Sequence, residues 1–322
     1  MNSQDRNLEL LDQVHLDKIC SIFDIYVRDI QKLYVNPGRS ANNENFVVMI
    51  EDKSYLYRVP GTGSDLFCDR KKEYEAYQLL RPYEITDELI YFERDTGVKV
   101  SAYYEDSHIP DAENGQELEQ SMQILKYLHE LDLDFPYHET LLDRMELYFE
   151  FAREAGGEPL FLAEYFCIRD HLRNTANESI TRHLESVTLT HGDASINNVL
   201  ITHEHDHPIL IDLEFFAKSD SFSDIATFSV DADFREEKIT QILDYYLRRP
   251  STIEEQYHAF KLCCIAAMMW YGWAAYKTAV EENEKQADFY LSFRNDYQSY
   301  ILDMMASINR CRQELGLSIL RV

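Results

Sequence analysis

The sequence predicts an α+β fold in two lobes. A small antiparallel β-rich lobe with a helical segment at its start covers residues 1–107, and a larger, mainly helical lobe covers 108–322. Three observations carry this. Two pairs of short strand-like runs, each pair joined by a polar turn, fall between residues 45 and 104 and read as hairpins. Beyond residue 115 most apolar positions recur at helical spacing. A chain of 322 residues, 45% hydrophobic and 28% charged, is long enough for two cores of ordinary globular composition.

Residues 8–33 read as one or two helices, with Leu8, Leu10, Leu11, Ile19, Ile22 and Phe23 on recurring apolar positions. Asn36-Pro37-Gly38 reads as a turn. Residues 45–50 and 55–59 are the strands of the first hairpin, joined by Glu51-Asp52-Lys53. Residues 70–77 read as a helix. Residues 89–92 and 99–104 form the second hairpin around Asp95-Thr96-Gly97, and the acidic segment 104–111, with Pro110, leads out of the small lobe.

In the larger lobe, residues 115–131 read as a helix with a packed, structural His129 near its end. A second helix spans 140–155 and stops at Gly156-Gly157, and 160–187 holds one or two more. The runs 187–189, 199–201 and 209–211 read as strands. A helix over 239–247 ends at Arg248-Arg249-Pro250. The next starts at a Ser251 or Thr252 cap before Glu254-Glu255 and runs to about 280 with a break.

The formal net charge of -27, from 31 basic and 58 acidic residues, argues against nucleic acid or an anionic membrane as the main partner. It suits a cationic small molecule. The six cysteines form no CxxC pair, and adjacent Cys263 and Cys264 in an apolar run read as buried thiols. A polar start without a signal-peptide pattern, and no 18-residue apolar span, lead us to expect a reduced, cytoplasmic protein without stable membrane insertion.

The densest chemistry lies in LTHGDASINNVLITHEHDHPILIDLE, residues 189–214. Asp193, Asn198 and Asp212 are hard oxygen donors at strand ends, suited to magnesium rather than zinc. A carboxylate here can also orient and deprotonate a substrate hydroxyl in phosphoryl transfer. Turn-capping Asp and Asn residues with a hydrogen-bonded histidine are the alternative. On α-helical spacing, Trp270, Trp273 and Tyr276 share a face, which is either core packing or a wall for a quaternary ammonium group.

HGDASINNVLI followed by IDLEF resembles the HxDxxxxN motif and metal-binding aspartate of the choline/ethanolamine kinase family. The match is to its bacterial LicA-type members, within the aminoglycoside phosphotransferase superfamily. The resemblance implies a protein-kinase-like two-lobed fold and phosphoryl transfer from ATP, with Mg2+, to the hydroxyl of choline. It places Asp193 as catalytic base with His191 beside it, and Asn198 and Asp212 on the metal. Arg58 takes the place of the nucleotide-phosphate-binding cation, held by Glu73. In the glycine-poor loop 38–45, Asn43 and Asn45 match the family's nucleotide-covering loop best, and Ser40 and Asn43 fall on nucleotide-binding positions. Glu214 sits beside metal and substrate, and Asp224 starts a helix and braces the catalytic loop. Trp270, Trp273 and Tyr276 fall where the family supplies a wall of the amine site. Ala194-Ser195 departs from the apolar-and-proline pair often found there. Ethanolamine, thiamine or an aminoglycoside as acceptor, and a non-catalytic nucleotide-binding or interaction protein on the same fold, are the other readings.

Overall fold

A computed structural model describes residues 7–36, 43–61, 66–157, 161, 163–175, 184 and 187–320. The fold is the expected α+β, protein-kinase-like one, with a β-rich unit and a larger, mainly helical unit. The first unit comprises Met1–His108 with Leu200–Phe215, and the second Ile109–Val199 with Phe216–Val322.

The first unit opens with helix α1 (Gln13–Phe23), capped by Asp12. Strands β1 (Ile30–Val35), β2 (Asn43–Ile50) and β3 (Lys53–Pro60) follow. The helix α2 (Arg70–Leu80) comes next, capped by Asp69, whose side chain accepts the N–H groups of Lys71 and Lys72. Strands β4 (Leu89–Phe92) and β5 (Lys99–Ala102) complete an antiparallel sheet of order β1-β2-β3-β5-β4. Glu51 and Asp52 both have positive φ, the backbone a two-residue hairpin turn requires.

Alternation across this sheet sorts its side chains. Phe46, Val48, Ile50, Tyr57 and Val100 join Leu16 and Ile19 of α1 in one apolar cluster. Arg58 and Lys99, paired in register between β3 and β5, therefore point to the opposite face. The reading of 8–33 as wholly helical is corrected here, because residues 30–35 form strand β1. A register shift between Ile30 and Lys32 leaves Ile30 and Leu33 both buried three residues apart, which imitates helical spacing.

The second unit contains α3 (Gly115–Glu130), α4 (Leu141–Glu154) and α5 (Ala163–Thr175). Strand β6 (Val187–Thr190) follows. The chain passes through the short β7 (Val199–Leu200) and β8 (Ile209–Leu210), which pair with each other. Strand β9 (Ala217–Asp220) lies antiparallel to β6, in register from Val187 opposite Asp220 to Thr190 opposite Ala217. Helices α6 (Phe222–Asp231), α7 (Glu236–Leu247), α8 (Ile253–Val280) and α9 (Glu284–Glu314) finish the unit.

Helix α8 is continuous, which corrects the expected break, and Thr252 with Glu255 forms a capping box at its start. It is buried on nearly every side, packing on α4, α6 and α9, so it lacks the polar stripe that marks a surface helix. Cys263 and Cys264 are both fully buried in it. No helix among the described residues is long and apolar enough to cross a membrane.

Candidate active site

The polar face of the first unit's sheet carries a chain of alternating charges. Arg58 Nη1 lies 2.8 Å from Glu73 Oε1, and Nη2 donates to Glu73 Oε2 at 2.9 Å, a two-pronged pairing. Nη2 also donates to the carbonyl of Gly97, and Nη1 to Asp212 Oδ1 at 2.9 Å. From Glu73 the chain continues through Arg70 to Glu214, each at 3.1 Å. Arg58 is 3% exposed and Glu73 not at all, so neither charge is tolerable without the other. Burial alone would depress the Arg58 guanidinium, but Glu73 and Asp212 outweigh it and hold the cation well above its usual value. Burial would likewise raise Glu73, yet Arg58, Lys99 and Arg70 keep its carboxyl below the ordinary range. Glu214 goes the other way: burial and the neighbouring Asp212 push it up to about 7 despite Arg58 and Arg70.

Backbone geometry sets two of these positions. Asp212 has φ 63 just after β8, a left-handed conformation uncommon outside glycine. Gly97, at φ +75 in the turn between β4 and β5, faces Arg70 so closely that a Cβ would fall 2.5 Å from Nε. Lys99 donates to the Tyr77 hydroxyl, which donates to Asp87, an extension of the same buried polar layer.

The second unit holds the Asp193 loop. The Asp224 carboxylate accepts the N–H groups of His191 at 2.7 Å and Gly192 at 2.9 Å. It also meets His129 Nε2 at 2.9 Å, while His129 Nδ1 meets the Tyr246 hydroxyl. Burial would raise Asp224, but the bonds from His129 and His191 hold it below the ordinary carboxylate value. Asp224 lies in the first turn of α6, as expected, while the N–H of Phe222 at the start of that helix is accepted by Asp220. Arg144 reaches in from α4 and donates to the Gly192 carbonyl at 2.7 Å. The N–H of Asp193 donates to His191 Nδ1, and Asn198 Nδ2 donates to the Asp193 carbonyl at 2.9 Å and to Oδ2 at 3.3 Å. His191 is fully buried and Asp193 half-buried.

The aromatic residues of α8 separate. Trp270 and Trp273 meet edge to face with centroids 5.8 Å apart. Trp273 is 6% exposed, set edge-on to Tyr290 of α9, with Lys277 Nζ 5.8 Å over its ring. Half-buried Trp270 lies against Tyr148 of α4. Tyr276 meets Phe151 of α4. Asn43 opens β2 opposite Pro60, and Ser40 lies outside the described residues.

The family model described as "Phosphotransferase enzyme family" (APH) matches residues 35–261. The chain belongs to the phosphotransferase enzyme family. Among solved structures it is similar to the choline kinase LicA from Streptococcus pneumoniae, with TM-score 0.73 and 17% identity over 91% of this chain and 98% of that one. A choline/ethanolamine kinase family protein from Mesorhizobium loti gives TM-score 0.71 and 15% identity over 92% and 98%. A spectinomycin phosphotransferase, solved in complex with ADP and spectinomycin, gives 0.59 and 12% over 92% and 98%. At these identities the likeness is one of fold. No curated protein matches the sequence.

Within this phosphotransferase, the structure joins Arg58, Glu73, Asp212 and Glu214 in one network of the first unit. It joins His191, Asp193 and Asn198 in one loop of the second. The sequence reading missed Arg70 and Arg144, both buried cations that hold those groups. Each sits on a helix where an arginine ordinarily reads as surface, and Arg70 meets Glu214 from 144 residues away. The only local sign of Arg70 was its place one helical turn before Glu73.

Proposed function

We propose that this phosphotransferase is an ATP- and Mg2+-dependent choline kinase, giving phosphocholine and ADP. Residues 1–107 are assigned to nucleotide binding, and 108–322 to catalysis and acceptor binding. Asp193 is assigned as the base: it accepts the choline hydroxyl proton as the oxygen attacks the γ-phosphorus and the bond to the β-phosphate oxygen breaks. His191, bonded to the Asp193 N–H, sets the backbone of that base. Arg58, with Glu73 fixing it, is assigned to the nucleotide phosphates, for which its contact with Asp212 is the exchangeable one. Asn43 and Ser40 are assigned to the nucleotide-covering loop, and Glu214 to the surroundings of the acceptor.

Asn198 and Asp212 would hold magnesium, and their chemistry fits. Asn198 spends its amide N–H on Asp193, which leaves its carbonyl oxygen as the metal-facing donor. The Asp212 side chain is 31% exposed beside Arg58. When bound, the ion would neutralise charge on the transferring phosphoryl group.

The acceptor rests on one observation, the aromatic train Tyr148, Trp270, Trp273, Tyr290, tilted at its first contact and edge-to-face at the next two, with Trp270 only half-buried. Aromatic faces of this kind attract quaternary ammonium groups. The test is magnesium-dependent ADP release from purified protein with choline, ethanolamine, thiamine and kanamycin. Choline should give the highest kcat/KM. Failure with all four while control kinases work sinks the reading, and preference for ethanolamine replaces only its acceptor.

A further inference from the structure

Helix α6 carries a second carboxylate aimed at the Asp193 loop. Asp231 lies seven residues after Asp224, about two helical turns, so the two project from the same side. Asp224 holds the start of the loop through His191 and Gly192. Asp231 Oδ2 holds its other end, accepting the Ser195 hydroxyl at 2.6 Å and the Asn197 side-chain amide at 2.7 Å. Ser195 Oγ in turn accepts the N–H of Asn197 at 3.1 Å, and the N–H of Asn198 closes the turn on the Ser195 carbonyl at 2.9 Å.

The location is costly in itself. Asp231 is the last residue of α6, where the helix dipole disfavours negative charge. The Ser195 hydroxyl and the Asn197 side-chain amide act against that cost, and the turn they come from is the one leading into Asn198. It is also where Ala194-Ser195 stands in place of the apolar-and-proline pair of the resemblance. A proline stiffens a turn by fixing φ; here hydrogen bonds to a carboxylate supply the stiffness.

We propose that Asp231 is a positioning residue for phosphoryl transfer, clamping the Ser195–Asn197 turn so that Asn198 is presented to the metal. This rests on the assignment of Asn198 as a magnesium ligand. Full-length Ser195→Ala, Ser195→Thr, Asp231→Ala and the Ser195→Ala/Asp231→Ala double variant test it by two readouts. In hydrogen exchange, Ser195→Ala and Asp231→Ala should each speed exchange over residues 191–198 and leave β6 unchanged, while Ser195→Thr behaves as wild type. In ADP release with choline, both should raise the magnesium concentration for half-maximal rate roughly tenfold, the scale of a lost hydrogen bond to a charged group. The choline KM should stay unchanged, and the double variant should be no worse than the stronger single one. Unchanged exchange overturns the clamp. So does a rise in choline KM in Asp231→Ala alone with Ser195→Ala silent, because the carboxylate would then bind the acceptor itself. If the wild-type protein phosphorylates none of the four acceptors, the kinase reading fails, and the clamp is still decided by exchange.

Discussion

The Asp193 loop and the aromatic stretch of α8 belong to the same unit and are held in opposite ways. Around Asp193 nearly every polar atom has a directional partner: Asp224 on two backbone N–H groups and His129, Arg144 on a carbonyl, Asn198 on Asp193. Along α8, Trp273 is fixed by rings above and beside it and by burial alone. Polar groups taken from water need partners, so these directional bonds fix where the groups of the loop point. An aromatic ring is stabilised by burial whether or not a ligand ever reaches it. The loop's geometry is therefore fixed group by group, and that of the helix only by shape.

Breaking the loop's bracing should have the largest effect on stability. Asp224→Ala strands His129 and two buried backbone N–H groups, and should cost about 4 kcal/mol in urea unfolding together with most of the turnover. A loss within 1 kcal/mol would show that the loop holds itself without α6.

The two tryptophans sharpen the other side of the comparison. Trp273→Ala should cost about 3 kcal/mol of stability, because a nearly buried ring on α8 leaves a cavity against Tyr290. Trp270→Ala should cost less stability and instead raise the choline KM about fivefold with the ATP KM unchanged, the scale of one cation–π contact. Equal effects on both KM values would assign Trp270 to packing as well.

The smallest effect is acid sensitivity. The folded-state value of Asp224 is depressed, so its stabilising contribution is present above the unfolded value of about 3.8 and is lost as pH falls through the folded value. Wild-type protein should thus lose stability below pH ~3.8 more steeply than Asp224→Asn, measured by thermal unfolding across that window. Parallel curves would remove Asp224 as a source of acid lability.

Legibility followed the same division. The two hairpins of the first unit were readable because alternating residues face an apolar cluster on one side. Strand β1 was hidden by its register shift, and β9, with the sequence AKSD, has no apolar alternation to show. Asp193, Asn198 and Asp212 stood out as oxygen donors at strand ends, and Arg58 and Glu73 through the resemblance to the kinase family; the structure pairs Arg58 with Glu73 and Asp212. Arg70, Arg144 and Asp231 act through groups far along the chain, at Glu214, Gly192 and Ser195, and nothing local announces such a partner.

The assignment of Asp193 as the base of a small-molecule kinase stands or falls on turnover without its carboxylate. ADP release with magnesium and saturating choline should fall roughly 10³-fold in Asp193→Ala, with thermal unfolding and ATP binding close to wild type. Turnover within a few fold of wild type would contradict the account.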